Sequence, residues 1–245
     1  MTYNVHRCVG GDGRHDPDRI AEVIAGPAPD VVALQELDVN RDRTGRINQP
    51  ELIAARLDMA FHFSPAYVVE DGHYGNAILS RLPIRIMREG PLPRVRMPWR
   101  REGRGALWAA VSWAGADLNV IATHLGLLPS ERRAQAAALL GSDWLGHAAC
   151  RGPRVVCGDL NSLPGSAAFR RLEAGLVDAA ASAARDGAQS VRTFPSLWPL
   201  LRLDHVFHSR DLRALAVHVP SNRISRLASD HLPFVVDILM DGGET

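Results

Sequence analysis

Short apolar segments that end on a polar side chain recur along this chain, and they constrain its fold more than any other feature. The clearest is VVCGDLN, residues 155–161. A short apolar run bounded by turn-forming residues is typical of a buried strand. Asp159 and Asn161 end that run two positions apart, which places both side chains on the same face of an extended segment. We therefore predict a strand whose end presents a carboxylate and an amide together.

The same arrangement occurs at five further predicted strand ends. The polar residues there are Asn4, Glu36, His124, Asp204 and the pair Asp230 and His231. Any one of them taken alone is an ordinary turn or cap residue, since Asp and Asn favour turns through local hydrogen bonds. Because the pattern repeats, we expect the strand ends to meet at one edge of a sheet sandwich and to form one acidic pocket that also holds histidines.

Helix signals lie between the predicted strands. Helices are predicted over 15–26 with Asp16 as N-cap, from Pro50 to residue 57, over 129–147 behind a Ser130 cap, and over 166–175 behind a Ser166 cap. Strands are predicted within 1–5, 28–37, 75–81, 105–115, 117–126, 154–161, 201–209, 212–220 and 231–240, with 105–115 and 117–126 as an antiparallel pair. Strands and helices do not alternate strictly. Mixed sheets covered by outer helices therefore fit better than a doubly wound parallel fold.

Composition excludes several classes of protein. The 245 residues contain 46% hydrophobic side chains, enough for a full core, and the absence of linkers or repeats favours a single domain over 1–245. A net charge of +1 gives no global argument for binding nucleic acid or an anionic membrane. Cys8, Cys150 and Cys157 are too few and too scattered for a disulfide framework or a thiolate zinc site.

Location and assembly follow from the same features. No segment approaches the roughly 18 consecutive apolar residues of a membrane span, and no signal peptide is visible, so a cytoplasmic location is expected, with the protein a monomer. The chain opens inside the first predicted strand, at MTYNV. Either that strand extends further upstream or the start is misassigned.

The predicted pocket is chemically specific. Carboxylate and amide oxygens without cysteine suit a hard cation, Mg²⁺ or Mn²⁺. Histidines beside carboxylates are placed for charge stabilisation or proton transfer. Attack of water on a phosphate ester needs a cation, a base that orients the water, and donors for the phosphate oxygens.

Seven segments, in chain order, resemble those of one known family. They are TYNVH, LQE, GNAILS, THLG, GDLNS, RLDHVF and SDHLP, and together they resemble the endonuclease/exonuclease/phosphatase superfamily of metal-dependent phosphoesterases. The resemblance runs from residue 2 to about residue 238. It implies an α+β fold, a four-layer α/β/β/α sandwich of two mixed sheets with outer helices.

The resemblance also implies a metal site and a residue that orients or deprotonates the attacking water. Glu36 and Asn4 match the residues that hold Mg²⁺ or Mn²⁺, and Asp230 is a further metal ligand in some states. Asp159 matches the residue that orients or deprotonates the attacking water. Asn161 matches the amide that donates to a phosphate oxygen.

The remaining implied roles concern the phosphate. His231, with Asp204 as its carboxylate partner, matches the histidine that contacts the scissile phosphate, and His124 matches a second phosphate contact. Asn76 and Gln35 resemble supporting residues, Gln35 by orienting groups behind the site. Candidate substrate contacts are His6, Arg7 and His73, whereas His205 and His208 are interpreted as ordinary strand residues.

The implied reaction is hydrolysis of a phosphodiester by in-line attack of water, with no covalent intermediate. The substrate stays open between a nucleic acid and a phospholipid headgroup. A phosphomonoester of a small molecule and a non-catalytic phosphate-binding protein on the same fold are the alternatives.

Two segments bear on the choice of substrate. Residues 85–104 hold seven arginines and Trp99, and are interpreted either as a loop that binds phosphate, with the indole stacked on a base or at a lipid interface, or as a solvated loop. SLWPLL, residues 196–201, is either a hydrophobic lip for a lipid or, as we favour from sequence, a core-packing strand start.

Overall fold

Twelve strands form within the part of the chain that this computed structural model describes, residues 1–95, 102–184 and 191–240. In chain order they are β1 (Thr2–Asn4), β2 (Val31–Val39), β3 (Ala60–Val69), β4 (Gly72–Ser80), β5 (Ile84–Pro91), β6 (Gly105–Trp113), β7 (Ala116–His124), β8 (Arg154–Asp159), β9 (Val177–Asp178), β10 (Asp204–His208), β11 (Leu212–His218) and β12 (Val235–Met240). The α-helices of the same residues are α1 (Pro17–Ala25), α2 (Gln49–Leu57), α3 (Pro129–Leu139), α4 (Ala167–Glu173), α5 (Ala179–Ala184) and α6 (Arg223–Ala228).

The strands form two mixed sheets and a hairpin. One sheet has the order β1-β2-β4-β3 and the other β5-β6-β7-β8-β10-β9, while β11 pairs with β12. β1 runs parallel to β2 and β7 parallel to β8, and the other pairs in these sheets are antiparallel, including the predicted pair β6 and β7. The α+β class with two mixed sheets is confirmed.

Three apolar clusters define the layers. Between the sheets, Ala33 and Ile78 of the smaller sheet join Leu107 and Val155 of the larger one in a buried cluster. A second cluster packs α1 and α2 on the outer face of the smaller sheet, and a third packs α3 and α4 on the outer face of the larger. The order from outside to outside is helix, sheet, sheet, helix.

Local signals set the helix starts in most cases. Asp16 accepts a hydrogen bond from the Arg19 amide at 2.9 Å, and Ser166 caps α4 in the same way. The predicted Ser130 cap is wrong. Pro129 takes the first helical position, where its missing N–H is not needed, so Leu128 is the N-cap and the helix begins two residues earlier than a Ser130 cap requires. That helix ends at Leu139, well before residue 147.

The sequence missed two long strands. β3 was not predicted, and β5 occupies the first part of the 85–104 segment that was interpreted as a loop. β5 lies at a sheet edge and alternates polar with half-buried residues, so its apolar signal is weak. Arg96, Trp99, Arg100 and Arg101 lie outside the described residues. No helix in the described part of the chain is long and apolar enough to cross a lipid bilayer.

Candidate active site

Strand register places three of the predicted site residues side by side. In the larger sheet, Asp159 at the end of β8 is the register partner of His124 on β7 and of Asp204 on β10. Register partners on neighbouring strands point to the same face. All three side chains are buried. The predicted meeting of these strand ends is therefore present.

Asn4 joins this row to the smaller sheet. Its side-chain amide donates to Glu36 Oε1 at 3.1 Å and to Asp159 Oδ2 at 3.0 Å. Its own Oδ1 accepts from the His6 amide at 3.1 Å, and its carbonyl accepts from the Ser229 hydroxyl at 2.8 Å. Asn4 is 1% exposed, and these four bonds satisfy its side chain and its carbonyl inside the protein.

An irregular stretch of β2 orients Glu36. The register between β2 and β4 shifts between Leu34 and Leu37, and Glu36 has a positive φ of 62°. A non-glycine residue in this region is uncommon, and a bulge turns a side chain away from its regular face. The bulge brings the Glu36 carboxylate to Asn4, at the junction of the two sheets.

Asp159 is a buried carboxyl group with partners on both oxygens. The backbone N–H of Asn161 donates to Oδ1 at 2.8 Å, while the Asn4 side-chain amide donates to Oδ2. Burial raises the pKa of Asp159 to about 7, against the opposing effect of the positive charge on His231. A carboxyl group with such a pKa exchanges its proton near neutrality, which suits a general base.

His231 and Asp204 form a buried ion pair. His231 Nδ1 donates to Asp204 Oδ2 at 2.8 Å, and Nε2 lies 3.6 Å from Asp159 Oδ2. Burial alone would lower the pKa of His231, but the Asp204 carboxylate, with smaller contributions from Asp159 and Asp230, raises it to about 10. The ring is an imidazolium at neutral pH, with Nε2–H directed towards the pocket side occupied by Asp159.

His124, in contrast to His231, is a neutral imidazole at pH 7. Burial, with the nearby positive charges of Arg104 and His231, lowers the pKa of His124 well below its ordinary value. The side-chain amide of Asn161 donates to His124 Nε2 at 3.0 Å and to the Leu125 carbonyl at 2.9 Å. Both hydrogens of that amide are therefore used within the protein.

The site contains groups that fit a hard divalent cation. Four carboxyl groups lie near one another here, those of Glu36, Asp159, Asp204 and the half-exposed Asp230. The buried Asp204 Oδ1 has no hydrogen-bond partner among the described residues. Ligand atoms of Asp159, Asp204 and His231 lie within 4.8 Å of one another. His231 is a poor ligand here because its Nδ1 is paired with Asp204 and the ring is protonated. The oxygen-rich side around Glu36 and Asn4 is the better fit.

Residues with supporting or substrate roles in the prediction lie in different surroundings. Asn76 donates to the Gly105 carbonyl at 3.3 Å. Gln35 bonds to the Thr2 hydroxyl and the Ala33 carbonyl, so it braces β1 against β2. His6 and Arg7 occupy a left-handed turn directly after Asn4, with His6 Nδ1 4.0 Å from Asp230.

Three further histidines named from the sequence lie on strands. His205 and His208 are buried strand residues whose ring nitrogens bond to the carbonyls of Ser162 and Ser209, as their interpretation as strand residues predicts. His73 lies on β4, and its Nδ1 is buried without a hydrogen-bond partner within the described structure.

Three neighbours of the site were missed. Ser229 donates to the Asn4 carbonyl, and the Phe194 ring lies 4.9 Å from the His231 ring. Arg104 is 5% exposed, its Nη1 has no hydrogen-bond partner among the described residues, and its charge acts on His124. Among seven arginines between residues 85 and 104, sequence alone offers no signal for which one is buried.

The fold agrees with comparisons to known proteins. A model of the endonuclease/exonuclease/phosphatase family matches residues 1–231. The chain belongs to the endonuclease/exonuclease/phosphatase family, whose members generally hydrolyse phosphate esters and typically depend on a divalent metal. The resemblance seen in the sequence is thereby confirmed.

Individual relatives share the whole length of the chain. The uncharacterised protein YbhP of Escherichia coli is 27% identical over 249 residues, which cover 97% of this chain and 94% of the relative. The crystal structure of an endonuclease/exonuclease/phosphatase from Beutenbergia cavernae gives a TM-score of 0.73 at 26% identity and covers 98% of this chain and 71% of that one. A mannosyl-6-phosphatase from Bacteroides thetaiotaomicron has a TM-score of 0.75 at 18% identity, with 98% of each chain covered, which shows the fold alone.

Proposed function

We propose that the protein is a Mg²⁺- or Mn²⁺-dependent phosphoesterase that hydrolyses a phosphodiester by in-line attack of water at phosphorus. The observation that carries the proposal is the Asn4 amide, which joins Glu36 of one sheet to Asp159 of the other beside the His231 imidazolium. A carboxylate that would bind the metal, a base and a cationic hydrogen-bond donor therefore lie close together. These are the groups that hydrolysis of a phosphate ester requires.

The metal would be held by Glu36, with Asn4 and Asp230 as further ligands. When bound, it would neutralise charge on a phosphate oxygen and on the leaving oxygen. Glu36 is the main candidate because its carboxylate is brought to the junction of the sheets by a bulge and its partner there is a neutral amide, that of Asn4. Asp230 is half exposed and is available from the pocket mouth.

Asp159 orients the water and takes its proton. Its pKa of about 7 leaves a large ionised fraction at neutral pH and still makes it a stronger base than an ordinary aspartate. The bonds from Asn4 and Asn161 hold both oxygens in place, so the base does not reorient during the reaction.

His231 stabilises the charge on the phosphate. Its Nε2–H is a charge-assisted donor for a non-bridging oxygen, and Asp204 keeps the ring protonated. Asn161 reaches a phosphate oxygen only by giving up its bond to His124 Nε2, because both of its amide hydrogens are otherwise occupied. We infer that a phosphate oxygen of the substrate replaces His124 Nε2 as the acceptor of this Asn161 hydrogen bond.

The cysteines support water as the nucleophile. Cys8, Cys150 and Cys157 are all buried free thiols, and burial raises the pKa of each. A thiol in this state is a poor nucleophile at neutral pH. A phosphomonoester stays the alternative substrate, and a non-catalytic phosphate-binding role is disfavoured by the complete set of site residues.

The test is hydrolysis of a small aryl phosphodiester with Mg²⁺ or Mn²⁺, with and without chelator. We expect activity that chelator abolishes and that Glu36→Ala lowers at least about a thousandfold, whereas Glu22→Ala, an exposed carboxylate on α1, leaves it unchanged. Equal rates in all these conditions would refute an enzymatic role. An aryl phosphomonoester measured in parallel decides between the two ester classes.

The proposal places this activity in a single domain over residues 1–245, as a cytoplasmic monomer. Light scattering after size exclusion and fractionation of cells that express the protein test the last two statements. A dimer mass or a periplasmic fraction would contradict them.

A further inference from the structure

An exposed apolar tip lies next to the candidate active site. Phe194 and Leu201 pair as an isolated bridge, and the chain between them turns back on itself. The exposed fractions at this turn are 54% for Leu197, 78% for Trp198 and 66% for Leu200. The favoured interpretation of SLWPLL as core packing is therefore wrong. We call residues 197–201 the apolar tip.

The apolar tip is attached to the segment that carries His231. The Ser196 amide donates to the Asp230 carbonyl at 2.7 Å, and the Leu232 amide donates to the Thr193 carbonyl at 2.7 Å. Residues 193–196, just before the tip, thus bond to the residues on both sides of the histidine. The tip projects from the site itself and not from a separate part of the surface.

Two other exposed leucines follow site residues. Leu127, 58% exposed, comes three residues after His124, and Leu163, 46% exposed, comes two residues after Asn161. With the tip, three loops that leave the strand ends of the site expose large apolar side chains. A contiguous exposed apolar patch such as the tip usually marks an interaction surface.

Arginines lie beside the tip. The Ser196 hydroxyl donates to the Arg226 carbonyl at 2.9 Å, so α6 packs against the base of the tip. Arg226 on α6 and Arg192 just before the tip are exposed, and neither forms an ion pair with a carboxylate among residues 1–95, 102–184 and 191–240. Arg223 of the same helix instead lines a pocket with acidic residues of the α1 region. Leucine and tryptophan next to unpaired arginines are typical of surfaces that bind anionic membranes.

We propose that the apolar tip, with Arg192 and Arg226, docks the protein onto an anionic phospholipid bilayer, so that a lipid headgroup phosphate enters the pocket at His231. This inference rests on the proposed phosphoesterase function and names its substrate class. The indole and the leucines enter the interfacial layer, and the guanidinium groups stay among the headgroups. A nucleic acid would use Trp198 for stacking but would gain little from Leu197 and Leu200.

The test is sedimentation of the protein with vesicles of phosphatidylglycerol in phosphatidylcholine. We expect the wild type to bind, and Trp198→Ser and Leu200→Ser each to weaken binding about tenfold or more. Leu215→Ser removes a leucine of similar exposure, 47%, on β11 and should bind as the wild type does. Glu36→Ala should also bind as the wild type does, because docking does not require catalysis.

Each contrary result has a distinct meaning. Failure of the wild type to sediment, or equal binding of Trp198→Ser and Leu215→Ser, overturns the docking surface even if the aryl phosphodiester is hydrolysed. If Trp198→Ser loses affinity for a single-stranded oligonucleotide and not for vesicles, the surface binds nucleic acid and the proposal is wrong. Absence of hydrolysis in every metal refutes the proposed function, whatever the vesicles show.

Discussion

The side-chain amide of Asn4 lies 3.0 Å from Asp159 Oδ2, and this bond joins the first strand of one sheet to a central strand of the other. The same amide holds Glu36, so one neutral group separates two carboxylates that would otherwise repel each other. Glu36, which would hold the metal, and Asp159, which would orient the water, are the two partners of this one amide. The distance between the two functions is set by one buried side chain.

We expect Asn4→Ala to move the acid limb of the rate profile to higher pH. The Asn4 hydrogen bond favours the ionised form of Asp159, so its loss raises the pKa of that carboxyl further above 7. At neutral pH, kcat/KM should fall about a hundredfold. Hydrolysis of the aryl phosphodiester as a function of pH measures both effects, and an acid limb at the wild-type position would show that Asn4 does not control the base.

Asp204→Asn should change the charge state of His231. Without the carboxylate, the pKa of His231 falls from about 10 towards or below its ordinary value of 6.5, because burial then dominates. The alkaline limb of activity moves down with it. Ring resonances in NMR titrations report the pKa directly. Asp237→Asn, at the exposed His218 pair on the β11–β12 hairpin, is the control that should leave the His231 titration unchanged.

Asp159→Asn should stabilise the metal-free protein at alkaline pH. The folded pKa of Asp159, about 7, lies above the ordinary value of 3.8. A raised pKa contributes stability that is complete below about pH 4 and is lost as the pH rises through 7, where the buried group must ionise. The amide avoids this cost, so the free energy of unfolding above pH 7 should increase by about 1–3 kcal/mol.

Urea unfolding in chelator, at pH 4 and above pH 7, measures this difference. The gain should disappear at the lower pH, where Asp159 is protonated in the wild type. A variant that is less stable than the wild type at alkaline pH would mean that the surroundings stabilise the ionised carboxylate and that its burial does not lower the free energy of unfolding.

Gly158→Ala should destabilise the strand that carries the base. Gly158 precedes Asp159 and has a φ of 149°, and an added Cβ would overlap the Thr123 backbone carbonyl. Since backbone cannot move aside as a flexible side chain does, we expect a loss of about 3 kcal/mol in the free energy of unfolding. Gly90→Ala on β5 adds its Cβ to open space and should change stability by less than about 1 kcal/mol. Similar losses in both variants would contradict the close approach at Gly158.

The sequence predicted the strand ends well because they are local features. An apolar run followed by Asp159 and Asn161 has to end in a turn, and its register against Asp204 follows once the strands pair. The bulge at Glu36 has no such local signal. It exists because β4 pairs with β2 on both sides of an irregular stretch, which only the assembled sheet reveals.

Exposure was the harder property to predict. Trp198 and its leucines have the composition of a core segment, and only the bridge between Phe194 and Leu201 turns them outward. Arg104 is the reverse case, a charged residue in an arginine-rich segment that the fold buries beside the site. The exposure of Trp198 and the burial of Arg104 both depend on contacts with residues far away in the chain. The hydrophobic periodicity of the sequence therefore does not reveal them.

Attack of water at phosphorus is tested most directly by one turnover of a phosphodiester in water labelled with heavy oxygen. The account predicts that mass spectrometry finds the label in the phosphate product from the first turnover, and that Asp159→Asn slows this incorporation in proportion to the overall rate. Label in the alcohol product would place the attack at carbon. If both the phosphate and the alcohol are unlabelled in the first turnover, a protein oxygen attacks first and stays in the phosphate product. Either result would contradict the mechanism.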